Sequence, residues 1–89
     1  MDFDYIEWDD EDDPRGNVAH IEAADVTPDE VEYVLRGAGP ETISRSEPYR
    51  PAKSGWTRSG KYLFVPYNRT GEGGVVVIYP VTAFEIEPP

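Results

Sequence analysis

The sequence predicts an α+β fold in which two short N-terminal helices pack on a four- to five-stranded, mainly antiparallel sheet. Three observations predict it. Thr27-Pro28-Asp29-Glu30 has the residue order of a helix start. Gly55 to Val65 has the pattern of a β-hairpin, and Val75 to Phe84 is rich in β-branched residues. Early helices with apolar stripes need a sheet face to pack against, which favours α+β.

The first predicted elements are an edge strand and a short helix. Phe3 to Trp8 begins with alternating apolar and acidic side chains, which is typical of a strand. Asp9 to Asp13 is a run of acids that predicts a solvated loop. It lacks the ligand spacing of a calcium loop, so no metal site is predicted. Asn17 is the predicted N-cap of the first helix, because apolar residues recur at helical spacing from Val18.

The second helix has the strongest local signal in the chain. Thr27 is its predicted N-cap, Pro28 suits the first helical position, and Glu30 completes a capping box. Arg36 and Gly37 predict its C-terminal end. Because capping explains the acids of the first turn, we do not interpret them as catalytic.

The rest of the chain is predicted to be mostly strands. In order, the sequence predicts a short strand (Thr42–Ser46), an ordered loop (Glu47–Ala52), two hairpin arms (Ser54–Thr57 and Lys61–Tyr67), a flexible turn (Asn68–Gly74) and a last strand (Val75–Phe84). A bulge or strand end is expected at Pro66, which cannot donate a ladder hydrogen bond. Because the later strands are apolar on both faces, loops or a partner protein must cover the face away from the helices.

Length and composition limit the class of protein. The 89 residues suit a single domain, 1–89, and the absence of Cys excludes disulfides and thiolate chemistry. No apolar run approaches the roughly 20 residues needed to span a bilayer. A Cys-free chain without a signal-peptide pattern fits the cytoplasm of a prokaryote. No motif for a cofactor is present.

Charge is unevenly distributed along the chain. The net charge is −10, yet residues 36–70 carry seven basic and only two acidic side chains. Overall acidity disfavours non-specific binding of nucleic acid, which depends on phosphate contacts. The basic middle segment leaves room for an anion-binding face. The alternative is that this segment only neutralises the acidic N-terminal half across the fold.

The cations of the middle segment are interleaved with aromatic residues, as follows: Arg45, Arg50, Lys53, Trp56, Arg58, Lys61, Tyr62 and Tyr67. This combination suits single-stranded nucleic acid, because bases stack on rings while phosphates pair with cations. Metal-free RNA cleavage also needs a base to activate the 2′-hydroxyl, for which His20, Glu85 or a tyrosine are candidates. A structural or surface role for His20 is the alternative.

Three short blocks, in this order and spacing, resemble the BrnT family of RelE-like toxins. They are Trp8-Asp9 followed by Asn17-Val18-Ala19-His20; Val26-Thr27-Pro28-Asp29-Glu30-Val31; and Gly55-x-Thr57-x-x-Gly60-Lys61-x-Leu63-x-Val65 followed by Val77-Ile78-Tyr79-Pro80-Val81-Thr82-Ala83. The resemblance implies a RelE-like fold, a cytoplasmic metal-independent ribonuclease and an antitoxin partner. The positions that match are Trp8, Asn17, His20, Thr57, Lys61 and Thr82.

Two functions are therefore carried forward. The first is a BrnT-like toxin–antitoxin component, a weak ribonuclease with His20, Arg45, Arg58 and Lys61 as catalytic residues. RNA or a partner would then contact Trp8, Arg50, Lys53, Trp56, Tyr67 and Thr82. The alternative is a catalytically inactive relative that acts as a protein-interaction module, because Phe84 stands where the family typically has an arginine. A structural domain without a ligand is a third interpretation.

Overall fold

The protein is α+β: residues 3–45 and 48–89, which the computed structural model describes, form two helices and a six-stranded mixed sheet. In chain order the elements are β1 (Tyr5–Ile6), α1 (Asn17–Ala23), α2 (Pro28–Arg36), β2 (Glu41–Ile43), β3 (Pro51–Trp56), β4 (Tyr62–Glu72), β5 (Val75–Pro80) and β6 (Phe84–Glu85). The predicted α+β class is confirmed. The predicted strand at 42–46 appears as β2, while Ser46 and Glu47 lie outside the described residues.

The sheet has the strand order β1-β5-β4-β3-β2, with β6 also paired to β4. All pairs are antiparallel except β1 with β5, which is parallel. The prediction of four to five strands is wrong for two reasons. The short β1 joins the sheet, and the last predicted strand divides into β5 and β6 because its register against β4 shifts by one residue between them.

Of the bulge or strand end expected at Pro66, the strand end is wrong, because β4 continues through it to Glu72. Pro66 is the last residue of β4 paired with β3, and Tyr67 is the first paired with β5. The irregularity lies instead in the opposite strand, where the Val81 N–H donates to the Pro66 carbonyl at 2.9 Å. The predicted flexible turn over 68–74 is also too long. Only Gly73 and Gly74 form the turn, with φ of 61° and 82° that favour glycine.

The capping box of α2 is confirmed. The Glu30 N–H donates to the Thr27 hydroxyl at 3.2 Å, and the Thr27 N–H donates to the Glu30 carboxylate at 3.0 Å. The prediction that Asn17 caps α1 is wrong: Gly16 is the N-cap, without a side-chain hydrogen bond, and Asn17 is the first helical residue. The side-chain amide of Asn17 instead forms hydrogen bonds to other parts of the chain.

Asn17 joins three parts of the chain. Its Nδ2 donates to the carbonyls of Glu7 and Pro80, both at 3.0 Å, and its Oδ1 accepts from the Asp9 N–H at 2.9 Å. The Asp9 carboxylate accepts in return from the Asn17 N–H at 2.9 Å and from the Tyr79 hydroxyl. These bonds fix the segment after β1 against the start of α1 and the end of β5.

The core lies between the helices and one face of the sheet. Helix α2 packs on β3 and β4, where a Cβ on Gly55 would come within 3.3 Å of a Val34 methyl. The core residues are Ile21, Val26, Val31, Val34, Leu35, Leu63, Val65, Tyr67, Ile78 and Ala83. Because side chains alternate along a strand, Phe64 faces the opposite side of the sheet from Leu63 and Val65. No helix in the described part of the chain has the length and apolar character needed to cross a membrane.

Candidate functional site

The sheet face away from α2 carries a groove of about 550 Å³, which we call the open-face groove. Its apolar and polar lining includes Ile43, Phe64, Phe84, Ile86, Arg45, Arg50 and Thr82. Phe64 and Phe84 are cross-strand partners of β4 and β6, and their ring centroids are 5.7 Å apart. Ile43 is 66% exposed and Phe84 is 39% exposed. Large apolar side chains that line this groove therefore remain in contact with solvent.

Two arginines belong to the loop that borders this groove. The Ser44 N–H donates to the Arg50 carbonyl at 2.8 Å, which brings the two ends of the loop together. Arg45 is exposed, whereas the Nε of Arg50 is buried and has no hydrogen-bond partner among the described residues. An unsatisfied buried donor costs about 1–3 kcal/mol, more for a charged group.

The residues predicted to be catalytic lie in different surroundings. Arg45 lines the open-face groove, while His20 is exposed on α1. The guanidinium of Arg58 lies 4.9 Å from the Tyr33 ring centroid. The ammonium of Lys61 donates to the Asp25 carbonyl at 2.5 Å and lies 3.4 Å from the Glu30 carboxylate. The charge of Lys61 is therefore compensated by Glu30 at the start of α2, and its catalytic role stays a prediction.

Lys53 and Tyr67 require a correction, because both are fully buried and present no surface to RNA or a partner. The ammonium of Lys53 donates to the carbonyls of Leu35, at 3.2 Å, and Gly37. These carbonyls lie at the C-terminal end of α2, where cations are favourable. Burial lowers the pKa of Lys53, although the nearby Glu41 acts in the opposite direction. Lys53 is thus a C-terminal cap for α2.

The buried Tyr67 has a similar structural role. Its hydroxyl donates to the carboxylate of Glu41, which also lies 3.8 Å from the Arg69 guanidinium. Burial, followed by this hydrogen bond, raises the pKa of Tyr67. The tyrosine therefore links the middle of β4 to the start of β2.

The remaining predicted contact residues are divided between surface and core. Arg50 and Thr82 line the open-face groove with Arg45. Trp8 is partly buried and packs against the core. Trp56 is 52% exposed, and its ring meets Tyr62 edge-on at 5.0 Å between centroids. The structure thus brings three predicted residues together in one groove and places the others elsewhere.

The predicted set omits the apolar part of the groove. Phe64, Phe84, Ile43 and Ile86 line it together with the arginines. The sequence did contain a signal for this apolar lining, namely apolar residues on both faces of the later strands. Because the helices can cover only one face of the sheet, the apolar residues on the other face had to line an open surface or meet a partner. Metal binding has no geometric support in the described ranges, which contain no cluster of three or more His, Asp or Glu side chains placed to hold an ion.

Comparisons with known proteins do not assign a family. No protein-family model, no curated protein and no solved structure matches the chain. The BrnT-like resemblance therefore stays a prediction based on three short blocks. Inference about function depends on the geometry of the open-face groove.

Proposed function

We propose that the protein is a protein-interaction module whose open-face groove binds an extended segment with apolar side chains next to a carboxylate. The observation that carries this proposal is the apolar sheet face of the open-face groove, which is bordered by Arg45 and by Arg50, whose Nε has no hydrogen-bond partner among the described residues. A carboxylate would pair with the accessible part of the Arg45 or Arg50 guanidinium, and apolar side chains would cover Phe84 and Ile43.

Short-range contacts account for the expected affinity. Complete burial of a large apolar side chain contributes about 1.5–3 kcal/mol, so covering the exposed part of Ile43 contributes about 1–2 kcal/mol. A hydrogen bond to a charged group adds about 1.5–3 kcal/mol. The net charge of −10 opposes approach of an acidic segment, but salt screens charges beyond about 8 Å at physiological ionic strength. We therefore expect moderate salt to speed association and so to strengthen binding, because it screens the long-range repulsion.

A peptide-binding assay tests the proposal. The probe is a fluorescently labelled short peptide of alternating Leu and Glu, and the control peptide alternates Leu and Lys. Fluorescence anisotropy should show binding of the Leu/Glu peptide only. Arg50→Met keeps an unbranched apolar stem but removes the guanidinium. This variant and Phe84→Ala should each weaken binding at least about tenfold. Arg15→Met is the matched control, because it removes the same charge from an exposed position outside the groove.

Two results would contradict the interaction proposal. One is equal affinity of the Arg50→Met and unmodified proteins when both are folded by circular dichroism. The other is equal binding of the Leu/Glu and Leu/Lys peptides, which would indicate contact by apolar surface alone.

A BrnT-like ribonuclease with an antitoxin partner in the cytoplasm is the second proposal. Its support is the position of Arg45, Arg50 and Thr82 in one groove, where cations beside aromatic rings suit phosphates and bases. Expression of the protein should then arrest bacterial growth, and Arg45→Met should relieve the arrest. Purified protein should cleave RNA in the presence of a chelator. Harmless expression together with intact RNA would exclude this activity.

A further inference from the structure

The polar lining of the open-face groove consists of cations and hydroxyl groups. The described residues that line it include no Asp or Glu, although the chain has 18 acidic residues and a net charge of −10. The polar side chains of this lining are Thr42, Ser44, Arg45, Arg50, Ser54 and Thr82. All of them can donate a hydrogen bond, and arginine cannot accept one. The described lining therefore favours an anion, and no carboxylate within it cancels the positive charge.

Strand alternation places Arg50 on the same sheet face as the rings of the groove. Ser54 pairs with Phe64, and Phe64 pairs with Phe84, so these three side chains share one face. The bond from the Ser44 N–H to the Arg50 carbonyl continues the β2–β3 ladder by one pair. Arg50 is four residues before Ser54 along this extended backbone, and side chains an even number of positions apart share a face.

Two cations match the charge of one phosphate group. Arg45 is exposed and Arg50 is half-buried, and the Ser44–Arg50 backbone bond keeps Arg45, the next residue, close to Arg50. A phosphorylated side chain carries a charge of about −1.5 to −2 at neutral pH and has three acceptor oxygens. A carboxylate has a single charge, so it leaves one of the two cations uncompensated. Guanidinium groups also bind phosphate through two parallel N–H donors. The donor set therefore fits a phosphate better than a carboxylate.

The charge around the groove disfavours a longer polyanion. Glu85 and Glu87, which flank the groove residue Ile86, are exposed, and the chain as a whole is strongly acidic. A nucleic acid carries a charge at every phosphate, so its phosphates beyond the two arginines would meet this acidic surface. A protein segment with one phosphorylated side chain avoids most of this repulsion.

The separation of rings and arginines sets the length of the segment that bridges them. Phe84 lies two strand spacings from β3, and Arg50 lies four residues along β3 from the level of Phe84. Spacings of about 4.8 Å and rises of about 3.3 Å place the Cα atoms of Phe84 and Arg50 about 16 Å apart. Five extended residues span about 13 Å between their first and last Cα atoms, and the long arginine side chain closes the remaining gap.

We propose that the open-face groove binds a partner protein segment that carries a phosphorylated side chain, so that phosphorylation of the partner controls docking. The phosphate pairs with Arg45 and Arg50, and an apolar side chain four positions away packs on Phe64 and Phe84. This inference rests on the proposed function, because it names the preferred anion and the regulation of the same groove.

Binding of labelled peptides to the full chain tests this inference. The probe is Leu-Ser-Leu-Ser-phosphoserine with an amidated C-terminus, in which both leucines and the phosphate share one face of an extended chain. Companion peptides have Glu or unmodified Ser at the last position. In fluorescence anisotropy, the phosphopeptide should bind at least about tenfold more tightly than the Glu peptide, and the Ser peptide should bind most weakly.

Variants separate the phosphate contact from the apolar contact. Arg45→Met should bring the ratio of phosphopeptide affinity to Glu-peptide affinity close to one, because a single cation then remains for either anion. Phe84→Ala should weaken both peptides and leave their ratio unchanged. Arg15→Met, which removes an exposed arginine outside the groove, should change neither affinity.

Several results would overturn the inference. Equal affinity of the phosphopeptide and the Glu peptide would remove the preference for phosphate, and the proposed function would stand alone if Arg50→Met still weakened Glu-peptide binding. An unchanged affinity ratio in the Arg45→Met variant would show that Arg45 does not contact the phosphate. Displacement of the phosphopeptide by inorganic phosphate at an equal concentration would indicate a site for the free anion. Tighter binding of a single-stranded oligoribonucleotide would assign the groove to RNA.

Discussion

Replacement of Asn17 by Ala should destabilise the protein strongly. The side chain is 1% exposed and makes three hydrogen bonds, to the Asp9 N–H and to the carbonyls of Glu7 and Pro80. Leaving a buried group unsatisfied costs about 1–3 kcal/mol. The Pro80 bond is fully buried, whereas water can partly replace the other two. We therefore expect a loss of about 2–4 kcal/mol, a large part of the about 4–13 kcal/mol typical of 89 residues.

Urea denaturation at neutral pH measures this loss. His20→Ala is the control on the same helix, because His20 is exposed and its replacement should change the free energy of unfolding by less than about 0.5 kcal/mol. Asn17→Asp should be at least as destabilising as Asn17→Ala, since it replaces the amide donor with an anion next to Asp9. A loss for Asn17→Ala no larger than that for His20→Ala would refute the assigned role of Asn17.

Three further predictions concern local features of the fold. Thr27→Ala removes the side-chain acceptor for the Glu30 N–H and should lower the free energy of unfolding by about 1 kcal/mol in thermal or urea denaturation. Gly74→Ala forces a side chain into φ 82° and should cost about 1 kcal/mol; no change would contradict the strained turn. The hydrogen bond from Tyr79 is the main factor that lowers the pKa of Asp9 below 3.8. This hydrogen bond therefore stabilises the fold at pH values above 3.8. The stabilisation is lost as the pH falls through the pKa that Asp9 has in the folded protein. The stability difference between wild type and Tyr79→Phe should therefore be largest near neutral pH and shrink below pH 3.8, and a constant difference would contradict this linkage.

The parts of the fold that local signals determine could be predicted from the sequence. The capping box of Thr27 and Glu30 is an interaction within one turn, so the residue order is sufficient to locate the start of α2. The parallel pairing of β1 with β5 joins residues more than 70 positions apart. It depends on tertiary packing and on the bonds of Asn17, neither of which has a periodic pattern.

The surroundings of each predicted site residue depend on the direction of its side chain. Arg45 and Arg50 were recognised as cations and do line one groove. Lys53 was interpreted as a surface cation, although it lies on the same strand face as Gly55, which closely approaches α2. The predicted hairpin arm began only at Ser54, so no strand face was assigned to Lys53, and only the position of the helix shows which face of β3 is covered. Tyr67 was misplaced for the same reason.

Mapping the contact surface of the Leu/Glu peptide tests the central claim most directly. The measurement is a titration of isotope-labelled protein with the peptide, followed by amide NMR chemical shifts. The proposed function predicts that the largest shifts fall on Ile43, Arg50, Phe64 and Phe84, with little change along α1. Shifts concentrated on α1 or on the acidic loop at 9–13, or no shifts at a peptide concentration that saturates the anisotropy assay, would contradict the claim that the open face of the sheet is the binding surface.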